Sequence, residues 1–259
     1  MVFGGILFYG KSLELTSADN QKFKINNMLE AFGFKILGIP HIGIRQRARI
    51  IFSMMKFNHN DTVLDAGCGI GLYAFEIYWK VAKIIGIDLN KEKIKQAKEL
   101  AKRSGRKIEF IKGNLIKLKY NEKFDKIICS DVIEHIPEYK EAINSIANSL
   151  KKNGSIILTF PIYTEFNKKT YKKFGHVVPG YTEKEIEKLL KNNKLVIKRK
   201  KYYSGTFTKI SFKIHNILLA NKIIAALSFY PLYWISFLDI FSSKKGFDGI
   251  AILAQKQKN

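Results

Sequence analysis

Apolar positions along the chain follow two rhythms. Before residue 60 the spacing is helical: across Gln46–Phe57 the apolar residues include Ile50, Ile51, Met54 and Met55. From Thr62 onward, short apolar runs alternate with longer amphipathic stretches. The runs Thr62–Ala66, Val81–Ile87, Lys107–Ile111, Lys126–Cys129, Ser155–Phe160, Leu195–Tyr203 and Gly249–Ala254 predict seven strands. Between them, Leu72–Lys80, Lys91–Arg103, Glu138–Lys151 and Thr182–Asn192 predict helices. Asn153-Gly154 is a C-terminal stop for the third of these, and Thr182 with Glu185 forms a capping box at the start of the fourth. Strands alternating with helices predict an α/β fold: a seven-stranded, mostly parallel sheet with helices on both faces.

Two stretches depart from the alternation. Residues 1–60 predict an N-terminal helical addition, residues 61–206 the core, 207–246 an apolar helical insertion, and 247–259 the last core strand and tail. Within the insertion, Ile223–Leu238 holds no charged residue. It is short for a membrane span and is interrupted by Pro231. The return to a core strand at Gly249 excludes a single crossing, because the chain must come back to the side it left. A helix–Pro–helix hairpin lying in one leaflet fits Tyr230, Tyr233 and Trp234, with Lys209, Lys213, Lys222, Lys244 and Lys245 around them. A hydrophobic lid over the site or a dimer face is the competing reading.

Composition narrows the class. A chain of 259 residues with 46% hydrophobic and 26% charged residues reads as globular. Two cysteines, Cys68 and Cys129, cannot build a disulfide framework and lack zinc spacing, which fits a reduced, cytoplasmic setting, peripheral at the inner membrane face if the hairpin docks there. The apolar start Met1–Tyr9 has no basic stretch ahead of it and no cleavage site behind it, so a signal peptide is not expected. The net charge of +23 points to an anionic partner, a lipid surface or a nucleic acid. Yet only six of the 45 basic residues are Arg, the side chain suited to bidentate phosphate and base contacts, so a compositional Lys bias explains the charge equally well.

The residues with the clearest chemistry are Val63-Leu64-Asp65-Ala66-Gly67-Cys68-Gly69-Ile70-Gly71. A predicted strand enters a glycine-rich turn and then a helix, which lets backbone approach a ligand beneath unpaired helix N–H groups. The next strand ends in Asp88, an acid placed to accept hydrogen bonds from ribose hydroxyls. A dinucleotide fingerprint needs its third glycine one place later than Gly71, and Asp65 suits a ligand carrying a positive amino group better than a pyrophosphate.

In order and spacing, VLDAGCGIG, GIDLN, GN and FDKIICSDVIEHI resemble class I S-adenosylmethionine-dependent methyltransferases over about Asp61–Phe160. The resemblance implies a Rossmann-like fold and S-adenosyl-L-methionine as cofactor. It implies that Asp65, Gly67 and Gly69 line the methionine end, with Gly71 completing the turn, and that Asp88 binds the ribose. Leu89 and Leu115 would flank the adenine, and Asn114 would stand where the family has Asp, its side-chain oxygen still able to accept. Ser130 and Asp131 would close the pocket. Neither cysteine follows a proline, as a cytosine-C5 methyltransferase nucleophile would, and the Asn-Pro-Pro-aromatic signature of adenine methyltransferases is missing. Both absences count against a nucleic-acid acceptor.

Asp131, Glu134 and His135 are the candidate catalytic residues, on one face if the segment is helical. Methyl transfer to a hydroxyl often requires a base, and His135 has a side chain suited to that task. The stretch also resembles the acid-x-x-Glu-His segment of ubiquinone-pathway O-methyltransferases, where a divalent metal site is implied. Here the first position is the shorter Asp131, and no metal ligand is assigned. A purely structural role, with Glu134 at a helix start and His135 shaping the pocket, is the remaining alternative. His176 and Tyr181 are second-rank substrate contacts in the turn built by Pro179-Gly180. These observations favour O-methylation of a lipophilic or membrane-associated small molecule over a nucleic-acid methyltransferase or a non-catalytic cofactor-binding scaffold.

Overall fold

The computed structural model describes residues 13–16, 22–25, 41–218 and 220–258. Two short strands, β1 (Leu13–Thr16) and β2 (Lys22–Ile25), pair antiparallel and stand apart from the main sheet. Helix α1 (Ile42–Met54) follows. It begins four residues before the expected Gln46 because the His41 ring accepts the Ile44 N–H at 3.2 Å and caps it. Of the helical addition expected over residues 1–60, the described residues contain α1 and this strand pair; Met1–Tyr9 lies outside them.

The main sheet contains β3 (Thr62–Ala66), β4 (Lys83–Asp88), β5 (Glu109–Lys112), β6 (Phe124–Ser130), β7 (Leu150–Pro161), β8 (Leu195–Tyr203) and β9 (Gly249–Lys256). Its order is β5-β4-β3-β6-β7-β9-β8, and β9 alone runs antiparallel to its neighbours. Five helices accompany it: α2 (Leu72–Ile77), α3 (Lys91–Arg103), α4 (Tyr139–Ser149), α5 (Glu165–Thr170) and α6 (Glu183–Asn192). Adjacent strand residues feed opposite layers. Val63, Ile128 and Ile157 join Ile51, Met54, Phe75, Ala97 and Leu100 in one apolar cluster. Leu64, Ile127 and Ile156 join Ile143, Ile146, Ile186 and Leu190 in the other. A strand buried on both faces reads as a continuous apolar run, which is why these strands stand out in the sequence.

One predicted boundary is corrected. Helix α4 ends at Ser149, so Asn153-Gly154 does not stop it. Leu150 is drawn fully into the core, and the Lys151 ammonium bridges both Asp125 carboxylate oxygens at 2.9 Å. The chain is therefore already extended, and Asn153, at φ 60°, lies in a bulge where β6 pairs jump from Phe124↔Leu150 to Lys126↔Ser155. The capping box forms by half: Thr182 accepts the Glu185 N–H at 3.3 Å, while the Glu185 carboxylate takes the Tyr139 hydroxyl at 2.5 Å.

The insertion is a helical hairpin, α7 (Thr206–Leu218) and α8 (Lys222–Ile235), followed by a 3-10 stretch, Ser236–Phe241. The break falls between the helices, and Pro231 stays inside α8 instead of dividing it. Among the described residues no helix is long and apolar enough to cross a membrane. The hairpin packs on α1: Ile42 meets Phe229 and Leu232, and the Arg45 guanidinium lies 5.1 Å from the Phe229 ring centre. Asp239, buried, accepts backbone N–H groups from Gly205, Phe207 and Thr208 at the start of α7, and the Gln46 side-chain amide of α1 at 2.9 Å.

Candidate active site

The tips of β3, β4 and β6 meet at one edge of the sheet, where the order reverses around β3. Open α/β sheets hold ligands at such a point. The loop after β3 is tied to β4 by N–H donation from Gly67 and Cys68 to the Ile87 carbonyl, at 2.7 and 3.0 Å. Gly67 takes φ 71°, and a Cβ there would lie 2.4 Å from the Val132 side chain. Gly69 takes φ 54°, but a Cβ there would meet nothing nearer than Lys93 at 4.0 Å, so its backbone faces open space. The Asp88 carboxylate accepts the Gly69 N–H and the Asn90 N–H, each at 2.8 Å. It is thus held in place with lone pairs remaining for hydroxyl donors.

Asp65 is placed differently from expectation. It is 1% exposed, lies beneath the loop, and accepts the Ala74 N–H at 3.3 Å. Burial, opposed by that hydrogen bond and reinforced by nearby Asp88, raises its carboxyl from 3.8 to about 7. It supports the loop from behind and is not part of the cavity wall; Gly71 is likewise outside the wall.

The tip of β6 carries a connected polar network. The Asp131 carboxylate accepts the Thr159 hydroxyl at 2.7 Å and the Tyr203 hydroxyl at 2.8 Å, and pairs with the Arg47 guanidinium at 2.9 Å. The Thr159 proton is committed to Asp131, so the Ser130 hydroxyl at 2.9 Å donates to Thr159 and the Tyr73 hydroxyl at 3.1 Å donates to Ser130. Burial pushes the Tyr73 and Tyr203 phenols up, which keeps both as protonated donors. Asp131 itself has φ 51°, a conformation costly to a residue with a Cβ and held here by this network. Three partners therefore occupy Asp131, one of the candidate catalytic residues, which also lines the cavity.

Glu134 and His135 sit in a 3-10 turn, Ile133–His135, that carries the chain from β6 toward α4. His135 is half-buried, and its Nδ1 lies 2.9 Å from the Gly175 carbonyl. A carbonyl only accepts, so Nδ1 carries a hydrogen, and in the neutral ring Nε2 is then the nitrogen with the lone pair. The His176 ring meets His135 edge-on, with centroids 4.8 Å apart. Glu134, His135 and His176 bring ligand atoms within 4.8 Å of one another. The acid-x-x-Glu-His ligand set does not assemble as such, because Asp131 faces Arg47; His176 takes the third place. Tyr181 is buried in the core with its hydroxyl on the Ile133 carbonyl at 2.9 Å, which removes it as a substrate contact.

A cavity of about 490 Å³ joins these parts. Gly67, Gly69, Asp88, Leu89, Asn114, Leu115, Ser130, Asp131 and His135 all line it, and Glu134 does not. Leu89 is exposed, as a residue waiting to pack on a flat ring would be. Asn114 Oδ1 accepts the Ile116 N–H at 3.0 Å and has a second lone pair left. These features fit an adenosine-bearing ligand. Ile44 and Arg47 of α1, Tyr73 and Phe174 are also in the wall, and sequence reasoning missed them. A signal for Arg47 existed: in a Lys-rich chain, three of six arginines, Arg45, Arg47 and Arg49, fall within five residues.

A family model described as a methyltransferase domain matches residues 57–194. The chain belongs to that family. It is a class I, S-adenosylmethionine-dependent methyltransferase domain in fold and cofactor motifs. A ubiquinone biosynthesis O-methyltransferase of Rickettsia prowazekii (strain Madrid E) is 31% identical over 148 residues, covering 56% of this chain and 57% of the relative. Its counterpart from Idiomarina loihiensis is 32% identical over 109 residues, covering 39% and 45%. The chain thus spans about half the length of these relatives. Among solved structures, the phosphoethanolamine N-methyltransferase 2 of Haemonchus contortus, in complex with S-adenosyl-L-methionine, superposes with a TM-score of 0.64 at 16% identity, covering 83% of this chain and 53% of that one. YcgJ from Bacillus subtilis gives 0.61 at 18% identity, covering 82% and 98%. At such identities the likeness is one of fold.

Proposed function

We propose that this protein transfers the methyl group of S-adenosylmethionine to a hydroxyl oxygen of a lipophilic small molecule, quinone-like or isoprenoid, met at an anionic membrane surface. The observation that carries the reading is His135: it lines the same cavity as Gly69 and Asp88, with Nδ1–H committed to Gly175 and Nε2 left as a base. Bound at the loop, S-adenosylmethionine would supply the electrophilic methyl group of its sulfonium, which becomes a thioether on transfer. Asp88 holds the ribose hydroxyls, Asn114 and Leu89 the adenine, and the Gly67–Gly69 backbone accommodates the methionine end. The acceptor oxygen gains the methyl group while His135 Nε2 takes its proton. The network from Tyr73 to Asp131 fixes the wall between the two ligands. The O-methyltransferase names of the relatives support oxygen as the acceptor atom.

Calorimetric titration with S-adenosylhomocysteine tests the donor half. Wild type binds, and Asp88→Ala loses on the order of 100-fold in affinity, the value of about two hydrogen bonds to a charged group. A folded wild type that does not bind overturns the reading. Transfer of labelled methyl to membrane lipid extracts tests the acceptor half. His135→Ala keeps S-adenosylhomocysteine affinity and loses about 100-fold or more in kcat.

A second reading has its own observation. The Glu134, His135 and His176 cluster offers three ligand atoms of a kind that divalent cations take. Magnesium or zinc binding measured by calorimetry, and lost in His176→Ala, supports it; a silent titration leaves His135 as the base.

A further inference from the structure

The hairpin presents an outer surface that is unusual for a globular protein. Along α7, Ile210, Ile214 and Ile217 recur at helical spacing and are all exposed. Along α8, Ile224, Leu227 and Trp234 do the same, with Leu227 74% exposed. Beyond them Ile240 is 81% exposed, and Phe241 beside it is also exposed. A helix resting on a soluble core normally turns polar residues outward. Here α8 is apolar toward α1, through Phe229 and Leu232, and apolar away from it. Contiguous apolar surface of this kind marks a site of interaction.

Charge selects the occupant. From Thr206 to Gly246 the chain holds one acidic residue, Asp239, and it is buried at the start of α7. No carboxylate in this stretch faces outward, while Lys213 is exposed on α7, three residues from Ile210 and four from Ile217; Lys244 is exposed too but pairs with Glu183 at 3.4 Å. A second copy of this chain would bring the same Lys213 against this one, within a molecule of net charge +23. An anionic bilayer offers apolar depth and negative headgroups together. We infer that the α7–α8 hairpin is an interfacial anchor: its exposed isoleucines, Leu227 and Trp234 enter one leaflet of an anionic membrane, and Lys213 meets the headgroups. The hairpin lies in the plane of the interface, since β9 returns to the sheet and no described helix spans.

The benefit to the enzyme rests on the lipophilic-acceptor reading above. Helix α1 gives Ile44 and Arg47 to the cavity and Ile42, Arg45 and Arg49 to the hairpin. One rigid helix therefore connects the anchor to the site, so that an acceptor dissolved in the leaflet is met beside the cavity wall.

The test uses the full chain and vesicles containing neither donor nor acceptor, so its outcome is separate from that of any methyl-transfer assay. Phosphatidylcholine vesicles are compared with vesicles of phosphatidylcholine and phosphatidylglycerol by co-sedimentation. In a Trp79→Phe background Trp234 is the sole tryptophan, and its emission reports insertion. The expected result is partition onto the mixed vesicles with a blue shift of Trp234. Leu227→Glu with Ile240→Glu lowers partition on the order of tenfold or more, and Lys213→Glu lowers it on anionic vesicles alone. Unchanged S-adenosylhomocysteine binding shows that the variants are folded. Absence of wild-type partition overturns the inference, as does partition that the hairpin variants leave intact. So does self-association abolished by Leu227→Glu in a protein indifferent to lipid, which would make a second copy the occupant.

Discussion

Replacing Asp65 with Asn isolates the buried carboxylate beneath the glycine loop. Asn keeps an oxygen for the Ala74 N–H and removes the charge. In the unfolded chain the carboxyl titrates at its ordinary 3.8; in the folded protein burial raises it to about 7. A raised acid makes the folded state hold a proton that the unfolded state has released. Folding therefore loses stability as pH rises between the two values. At about 1.4 kcal/mol per pH unit the cost grows from almost nothing below pH 4 to ~4 kcal/mol above pH 7. The side chain is 1% exposed, so no large discount for solvent screening applies. The variant does not titrate there, and its stability relative to wild type should rise by ~2–3 kcal/mol between pH 5 and pH 8. For a chain of this size that is ~5–10 °C in relative Tm. Thermal or urea unfolding of both proteins across that range measures it, and every other titrating group cancels in the difference. Two stability curves running parallel from pH 5 to pH 8 would refute the reasoning and mean that Asp65 folds as an ordinary, ionised carboxylate.

Further expectations come from the loop and the β6 network. Gly67→Ala places a methyl 2.4 Å from Val132 on a backbone at φ 71° and should destabilise by ~2 kcal/mol in thermal unfolding; adding Val132→Ala should relieve the clash but not the backbone strain. Tyr203→Phe removes one hydrogen bond to Asp131 and should cost ~1 kcal/mol in urea unfolding. Arg47→Ala leaves Asp131 without its cation and should cost ~3 kcal/mol in the same assay, with weaker S-adenosylhomocysteine binding beside it.

The core was readable in the sequence because its signals are local. A strand buried on both faces writes itself as an apolar run, so Thr62–Ala66 agrees with the observed strand to the residue; Leu195–Tyr203 does too, although it is an edge strand with Lys198–Lys201 exposed. Lys91–Arg103 agrees as well, with Asn90 capping it through the Lys93 N–H at 3.0 Å. Gly67, Gly69 and Asp88 could be placed because glycine spacing and a strand-end acid are features of a few adjacent residues. What could not be read depends on contacts between distant segments. The α4 boundary moved because Leu150 is buried and Lys151 reaches Asp125, neither of which appears in a helical period. The partners of Asp131 were not readable, because Arg47 lies 84 positions earlier and Tyr203 72 positions later. His176 joined Glu134 and His135 only through the loop after β7.

Helix α1 shows most clearly why such residues escape a motif search. It precedes the first recognisable motif, yet three of its residues act in two places: Gln46 bonds Thr208 and Asp239 and Arg49 lies 3.7 Å from the Phe237 ring centre, all in the apolar insertion, while Arg47 pairs with Asp131 at the cavity. Successive helix positions point about 100° apart, so neighbours in sequence reach different partners. The partners belong to two segments that look unrelated in the sequence, an apolar insertion and a strand end. The glycine loop and Asp88 explain how a methyl donor can be held. Helix α1 explains how the remaining wall of the cavity is fastened to an apolar hairpin, and therefore why these two features occur in one chain.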